Sequence, residues 1–214
     1  MRKLTWPAAV CAATVLTAAA QVHQAADFGA EPVVREVRRA EADPAHGFFP
    51  VGLYLLPNIG FPKENWDVGP VRINVVSGRN RDVYGIDVGL VGNMVAEEFT
   101  GVQAAGLFNR IDHSDGALQL AGVLNRVEGG FTGLQASAVN AVDGDLEGLQ
   151  IGLYNRASVL DGMQIGFANI VDSGSGLQLG IVNSARELDG LQIGLVNVIR
   201  DSTVPFFPIV NFAF

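Results

Sequence analysis

The chain has 214 residues, of which 49% are hydrophobic, and it carries a formal net charge of −8. This acidic balance argues against nucleic acid and anionic lipid headgroups as partners, because both would repel the chain. Cys11 is the single cysteine of the sequence, so a disulfide framework and a cysteine-based zinc site are excluded as well.

Residues 1–20 have the pattern of a secretory signal peptide. Arg2 and Lys3 precede an apolar run, and Ala18 and Ala20 are spaced like the small residues of a signal-peptidase site. A transmembrane anchor is the alternative, but the run is short for a span and contains Pro7. We therefore expect cleavage after Ala20 and export to the cell envelope.

Residues 21–46 predict a charged linker. Arg35, Arg38 and Arg39 are mixed with glutamates between Pro32 and Pro44, a composition typical of a solvated segment. A basic docking site built on the three arginines is the alternative interpretation of the same residues.

Residues 47–84 are apolar and aromatic, but Pro50, Pro57 and Pro62 interrupt them and exclude a long helix. In residues 71–76, Val71, Ile73 and Val75 alternate with Arg72, Asn74 and Val76, which is the period of two expected of a strand. We predict an N-terminal β cap region over residues 47–84.

Residues 85–203 repeat one short unit, exemplified by DGLQIGLVN at residues 189–197. The spacing between successive asparagines of the unit falls from 16 to 14 residues along the chain. Such regularity indicates a repeat architecture, and we predict an all-β fold, a β-solenoid of 14–16-residue coils with capped ends. The asparagines form a predicted structural row: Asn93, Asn109, Asn125, Asn140, Asn155, Asn169, Asn183, Asn197 and Asn211.

One repeat predicts which side chains face the core. Around Asn155, the aliphatic residues Leu149, Ile151 and Leu153 share one face of an extended strand, whereas Gln150 lies on the other. The residue two positions after each internal asparagine is apolar, so we place the asparagines and these aliphatics inside and the glutamines outside. A buried asparagine needs partners, which a corner of the backbone or a ladder of stacked asparagines would supply.

Residues 204–214 are predicted to form a C-terminal capping strand, since Pro205 and Pro208 remove ladder donors. The alternating apolar residues that end at Phe214 also fit the last strand of an outer-membrane antiparallel β-barrel, which is the alternative fold. Identical directional motifs in every strand count against antiparallel neighbours, and hydrocarbon would penalise the asparagine row on the more apolar face.

Three segments resemble a family of uncharacterised bacterial surface-repeat proteins: NVVSGRNRDVYGIDVGLV, the GLQxGxxN units and the closing PFFPIVNFAF. The similarity covers about residues 47–214, and Ser137 departs from it by replacing the glycine of its unit. The resemblance implies an envelope or surface location and brings no catalytic residues with it.

The sequence predicts no catalytic, cofactor-binding or metal-binding site. His23 and His46 fall in the linker, and His113 lies in a loop beside Asp112 and Asp115, where a solvated loop is the simpler interpretation than a metal site. The motifs of serine hydrolases and phosphate-binding loops are absent from the sequence.

Acidic residues of the repeats fall in predicted turns. The segment Asp143, Asp145 and Glu147 suggests a calcium loop, but it lacks the spacing of an EF-hand or of a calcium-binding repeat. Turn chemistry and solubility explain these acids, and calcium stays a hypothesis that removal of divalent cations would test.

We therefore expect a non-enzymatic, exported envelope or surface protein with a structural or interaction role. Its partner would be an envelope protein or a glycan, bound through the outward glutamine row or through loops such as residues 110–116. The alternatives are an outer-membrane pore, which would associate with that membrane, and a carbohydrate-binding or carbohydrate-active β-helix.

Overall fold

A computed structural model of the chain describes residues 47–214. The signal peptide predicted for residues 1–20, the linker predicted for residues 21–46, and His23 and His46 lie outside the described residues. None of the described residues belongs to a helix with the length and hydropathy that a membrane span requires.

All regular structure in residues 47–214 is β-strand, arranged as one 13-stranded sheet that winds round on itself. The strands are β1 (Phe48–Leu56), β2 (Ile59–Phe61), β3 (Asp67–Asn74), β4 (Ser77–Asn80), β5 (Val83–Gly89), β6 (Gly92–Ala105), β7 (Phe108–Ala121), β8 (Leu124–Val127), β9 (Phe131–Ala136), β10 (Val139–Ala185), β11 (Asp189–Gly194), β12 (Val196–Ile199) and β13 (Ile209–Ala213). The 47 residues of β10 run through several coils without a break.

Successive repeats stack in parallel and in register. Gln178 of β10 lies opposite Gln192 of β11, and Asn183 lies opposite Asn197 of β12. The same pairing of equivalent residues joins β6 to β7, β8 to β10 and β9 to β10. Each repeat is therefore one coil of a β-solenoid, as predicted, and the parallel pairing excludes the antiparallel barrel.

The core holds two apolar rows that run along the stack. One row is the residue two positions after each asparagine, for which the prediction of an inward position is confirmed, since these residues are at most 3% exposed: Val95, Ile111, Val127, Val142, Ala157, Val171, Ala185 and Ile199. The second row lies across from it and includes Phe99, Phe131, Leu146, Leu160 and Leu188. Coils this short leave room for only one layer of side chains between their walls.

The two ends of the solenoid depart from the parallel pattern. At the N-terminal end, β2 folds back antiparallel on β1, with the rings of Phe49 and Phe61 edge to face at 4.6 Å. At the C-terminal end, β13 runs antiparallel to β11, and an isolated bridge joins Val198 to Phe206. An added parallel coil would meet a differently oriented strand at either end.

Candidate interaction surface

The predicted asparagines from Asn93 to Asn197 form a continuous buried ladder. Each Nδ2 donates to Oδ1 of the asparagine one coil further along the chain, at 2.8–3.0 Å. Each side chain also donates to a main-chain carbonyl, as Asn155 does to Ile165 at 2.8 Å. Because every amide finds partners in the neighbouring coil, complete burial leaves few hydrogen bonds unmade.

The prediction that Asn211 ends this row is wrong. In the antiparallel pair of β11 and β13, Asn211 lies opposite Gln192, at the position of the glutamine row, but its Nδ2 and Oε1 of Gln192 have no hydrogen-bond partner. The asparagine ladder ends instead at Asn197, whose Nδ2 donates to the carbonyls of Gly194 and Phe207 at 2.8 and 3.2 Å. The chain reversal before β13 is the reason, because it brings the last asparagine back along the coil in the opposite direction.

The ladder begins one coil earlier than the repeat spacing indicates. Asn74 donates to Asn93 at 2.6 Å, across 19 residues, so the longer insertion hides it from a search for a 14–16-residue period. Tyr54 lies opposite Asn74 in the first coil and is 1% exposed, with its hydroxyl donating to the carbonyl of Pro62 at 2.6 Å. Burial raises the pKa of Tyr54, although the hydrogen bond from Asn80 opposes the shift.

The prediction that the glutamines face outward is also wrong. All seven are completely buried, and each Nε2 donates to the side-chain oxygen at the same position of the preceding coil, at 2.7–2.9 Å. The glutamines are Gln103, Gln119, Gln135, Gln150, Gln164, Gln178 and Gln192. The core therefore contains a second amide ladder, whose donors point toward the N-terminal end while those of the asparagine ladder point toward the C-terminal end.

A bend in each coil explains the reversed orientation. Tyr154 and Asn155 are both buried although they are consecutive, so the alternation of sides is broken just before the asparagine. Strict alternation would place Gln150 on the side opposite to Asn155, five residues later. The bend between them breaks the alternation, so both side chains are buried. Leu153, which was predicted to lie inside with Leu149 and Ile151, is 67% exposed.

Both ladders meet a buried ion pair at the N-terminal end of the repeats. Asp87 occupies the glutamine position of its coil and accepts from Gln103 at 2.9 Å and from Asn74 at 2.9 Å. Arg72, one coil earlier, grips the same carboxylate with Nε at 2.8 Å and Nη2 at 2.6 Å. Both side chains are completely buried, and Nη1 of Arg72 donates to Asn80 at 3.0 Å, so the charges are balanced and hydrogen-bonded.

The glutamine-bearing strands turn an unbroken apolar face to solvent, here called the apolar face. It consists of the outward residues within segments 51–55, 71–75, 86–90, 102–107, 118–123, 134–138, 149–153, 163–167, 177–181, 191–195 and 209–213. Register pairs such as Leu118 with Leu134 and Leu191 with Phe212 align these residues into rows along the solenoid. Exposure along it reaches 71% at Leu90.

The apolar face carries no charge. Within its segments the only charged side chains are Arg72 and Asp87, and both point inward. Charged residues lie on the other sides of the coil, where Arg126 pairs with Asp143 at 2.8 Å and Arg110 pairs with Glu128. The sequence contains a signal for this face, since the residues flanking every glutamine are apolar, but a wrong assignment of the glutamines concealed it.

The predicted loop acids do not converge on a site. His113 lies within β7 rather than in the predicted loop, where it contacts Asp115 at 2.9 Å and accepts from the amide of Gly130. Asp143 is engaged by arginines, and no group of three or more His, Cys, Asp or Glu residues within the described part of the chain could hold a metal ion. Asp143, Asp145 and Glu147 therefore do not form a cluster that would support the calcium hypothesis.

An open groove of about 900 Å³ lies at the C-terminal end of the solenoid. It is lined by the last core residues, Leu188 and Ile199, and by residues of β13 such as Val210 and Phe212. Residues 201–204 form its rim, so the groove is the incompletely covered end of the core.

The chain matches no family model, no curated protein and no solved structure.

Proposed function

We propose that this chain is a non-enzymatic, exported repeat protein of the bacterial cell envelope that assembles through its apolar face. The observation that carries the proposal is that face, an aliphatic surface without a charge that runs along the whole stack of coils. Soluble monomers rarely expose apolar patches of more than about 300–600 Å², and larger ones mark interaction sites.

The rigidity of the scaffold supports a structural role. Two amide ladders and in-register parallel pairing fix the outward side chains of each coil relative to those of the next. Such a surface presents a constant pattern to a partner over many coils. Export is supported by the signal-peptide pattern of residues 1–20, and an envelope location by the resemblance to surface-repeat proteins.

Cross-linking in cells tests the proposal. The full chain and a Leu153→Lys/Leu195→Lys variant are expressed in a Gram-negative host, cross-linked with a photoactivated carbene reagent, which needs no lysine, and fractionated. Leu153 and Leu195 are 67% and 64% exposed, so the variant keeps its core. Val159→Lys is the matched control, because Val159 is 38% exposed and lies outside the segments of the apolar face.

We expect all three proteins in the envelope fraction, with an N-terminus at Gln21. The wild type and the control should give a cross-linked complex that the face variant has lost. An uncleaved chain in the cytoplasm would contradict export, and equal cross-linking of all three proteins would contradict the role of the face. The carbohydrate-binding alternative stays a prediction, to which glycan-array binding of the wild type would give its first support.

A further inference from the structure

We propose that the occupant of the apolar face is a second copy of this chain, so that two solenoids pack face to face as a dimer. The inference rests on the proposed function and names its partner. It follows from the size of the face, from its chemistry, and from the charges beside it.

The area of the face is that of a stable protein interface. Strands spaced at ~4.8 Å make the eleven segments about 50 Å long, and five residues at ~3.3 Å make them about 16 Å wide. The product is roughly 800 Å², which is close to the area that each partner buries in a standard interface. One copy of the face is therefore enough to form a specific dimer, without help from another surface.

The chemistry of the face suits another apolar sheet. Its outward side chains are aliphatic or aromatic, with small residues such as Ala104 and Ala136 between larger ones such as Leu120 and Ile151. Two such sheets pack about 10 Å apart with interdigitating side chains. The backbone groups of these strands already pair with neighbouring coils, so an extended peptide could not be added along the face as a further strand.

The residues beside the face disfavour a lipid surface. Glu147, Asp161 and Asp189 are exposed, and each precedes one of the face segments 149–153, 163–167 and 191–195 by two residues. Lys63 is the only lysine among residues 47–214, and it belongs to none of the face segments. Anionic headgroups attract basic rims, and a rim of carboxylates is repelled by them. A second copy carries the same carboxylates, but they lie at the rim of the face, so the uncharged centres of the two faces can pack without burying a charge.

The test measures the mass of the full processed chain in solution. Sedimentation velocity and light scattering are run on the wild type, on Leu153→Lys/Leu195→Lys and on Val159→Lys, from about 1 to 100 µM. We expect a dimer for the wild type and for Val159→Lys, and at least a tenfold weaker association for the face variant. Circular dichroism of each protein verifies that the coils are intact.

Three outcomes would overturn the proposal. They are a wild type that stays monomeric over this range, a face variant that dimerises as well as the wild type, and a monomer that floats with phosphatidylcholine vesicles. The last outcome would identify lipid as the occupant. If the cellular complex disappears with the face variant but contains a different protein, the proposed function stands and the second copy is rejected. If the complex is unaffected by the variant, the proposed function itself fails.

Discussion

Gln103 donates from Nε2 to Oδ2 of Asp87 at 2.9 Å, and with this bond a ladder of seven neutral amides ends on a carboxylate. Every donor of the ladder points toward that carboxylate, so the amide dipoles add up to favour a negative charge at Asp87. Arg72 supplies the balancing positive charge one coil earlier. The N-terminal boundary of the repeats is thus an electrostatic boundary as well.

Removing the charge of Asp87 should strongly destabilise the fold. Asp87→Asn keeps the shape of the side chain but leaves the guanidinium of Arg72 buried without its counter-ion, which costs about 3–5 kcal/mol. The double variant Arg72→Gln/Asp87→Gln extends the neutral ladder by two coils, so it should lose less than the single variant. Urea unfolding followed by circular dichroism compares them, and equal midpoints for Asp87→Asn and the wild type would disprove the electrostatic role.

Exchanging polarity at adjacent positions distinguishes the two sides of the strand. Gln150→Leu removes two ladder bonds and leaves an unpaired acceptor on Gln135 and an unpaired donor on Gln164, at a cost of about 2–4 kcal/mol. Ile151→Gln changes a side chain that is 40% exposed and should shift the free energy of unfolding by less than about 0.5 kcal/mol in dilute solution. The reverse order of the two losses would mean that the glutamine lies outside.

The spacing of the repeats was sufficient to predict the solenoid, because only stacked coils place equivalent residues at a constant short period directly above one another. The inward row after each asparagine, including Ala157 and Val171, followed from the same spacing. The orientation of Gln150 could not be obtained in this way. Its burial depends on an identical amide in the next coil, and hydrophobicity alone favours the leucines for the interior.

Features that depend on contacts between segments of different sequence could not be predicted from the repeat pattern. Asn74 joins the ladder across a 19-residue interval, and Tyr54 covers it from a strand that lacks the repeat motif. Asn211 kept the repeat spacing but entered the other row, because β13 runs antiparallel. The apolar composition of the face is visible in the sequence, but the repeat pattern assigns its leucines to the core.

A single added methyl group at Gly162, within β10, should disrupt the stack. Gly162 has φ of +141°, and a Cβ there would lie 2.1 Å from the carbonyl oxygen of Gly148 in the preceding coil. We expect Gly162→Ala to cost more than about 2 kcal/mol, since backbone strain and a clash between coils add together. Gly116→Ala is the control, because a Cβ there meets nothing within 4 Å. Similar urea midpoints for the two variants would refute the close approach.

Stability should fall at alkaline pH through the buried phenol of Tyr154. The side chain is 7% exposed, and burial raises its pKa, an effect that Arg156 partly opposes. In the unfolded chain the phenol ionises near its ordinary pKa of about 10. Its contribution to stability is therefore complete below that pH and is lost as the pH rises from there through the folded-state pKa.

The Tyr154→Phe variant measures this contribution. Between about pH 8 and pH 11, its urea midpoint should decrease less than that of the wild type, because one fewer phenol ionises on unfolding. The phenolate absorbance of the folded protein provides an independent readout, since the chain has only three tyrosines. The variant should lack a component that titrates above the ordinary range. Loss of a component that titrates near pH 10, with an unchanged dependence of the midpoint on pH, would show that Tyr154 is accessible to water in the folded chain.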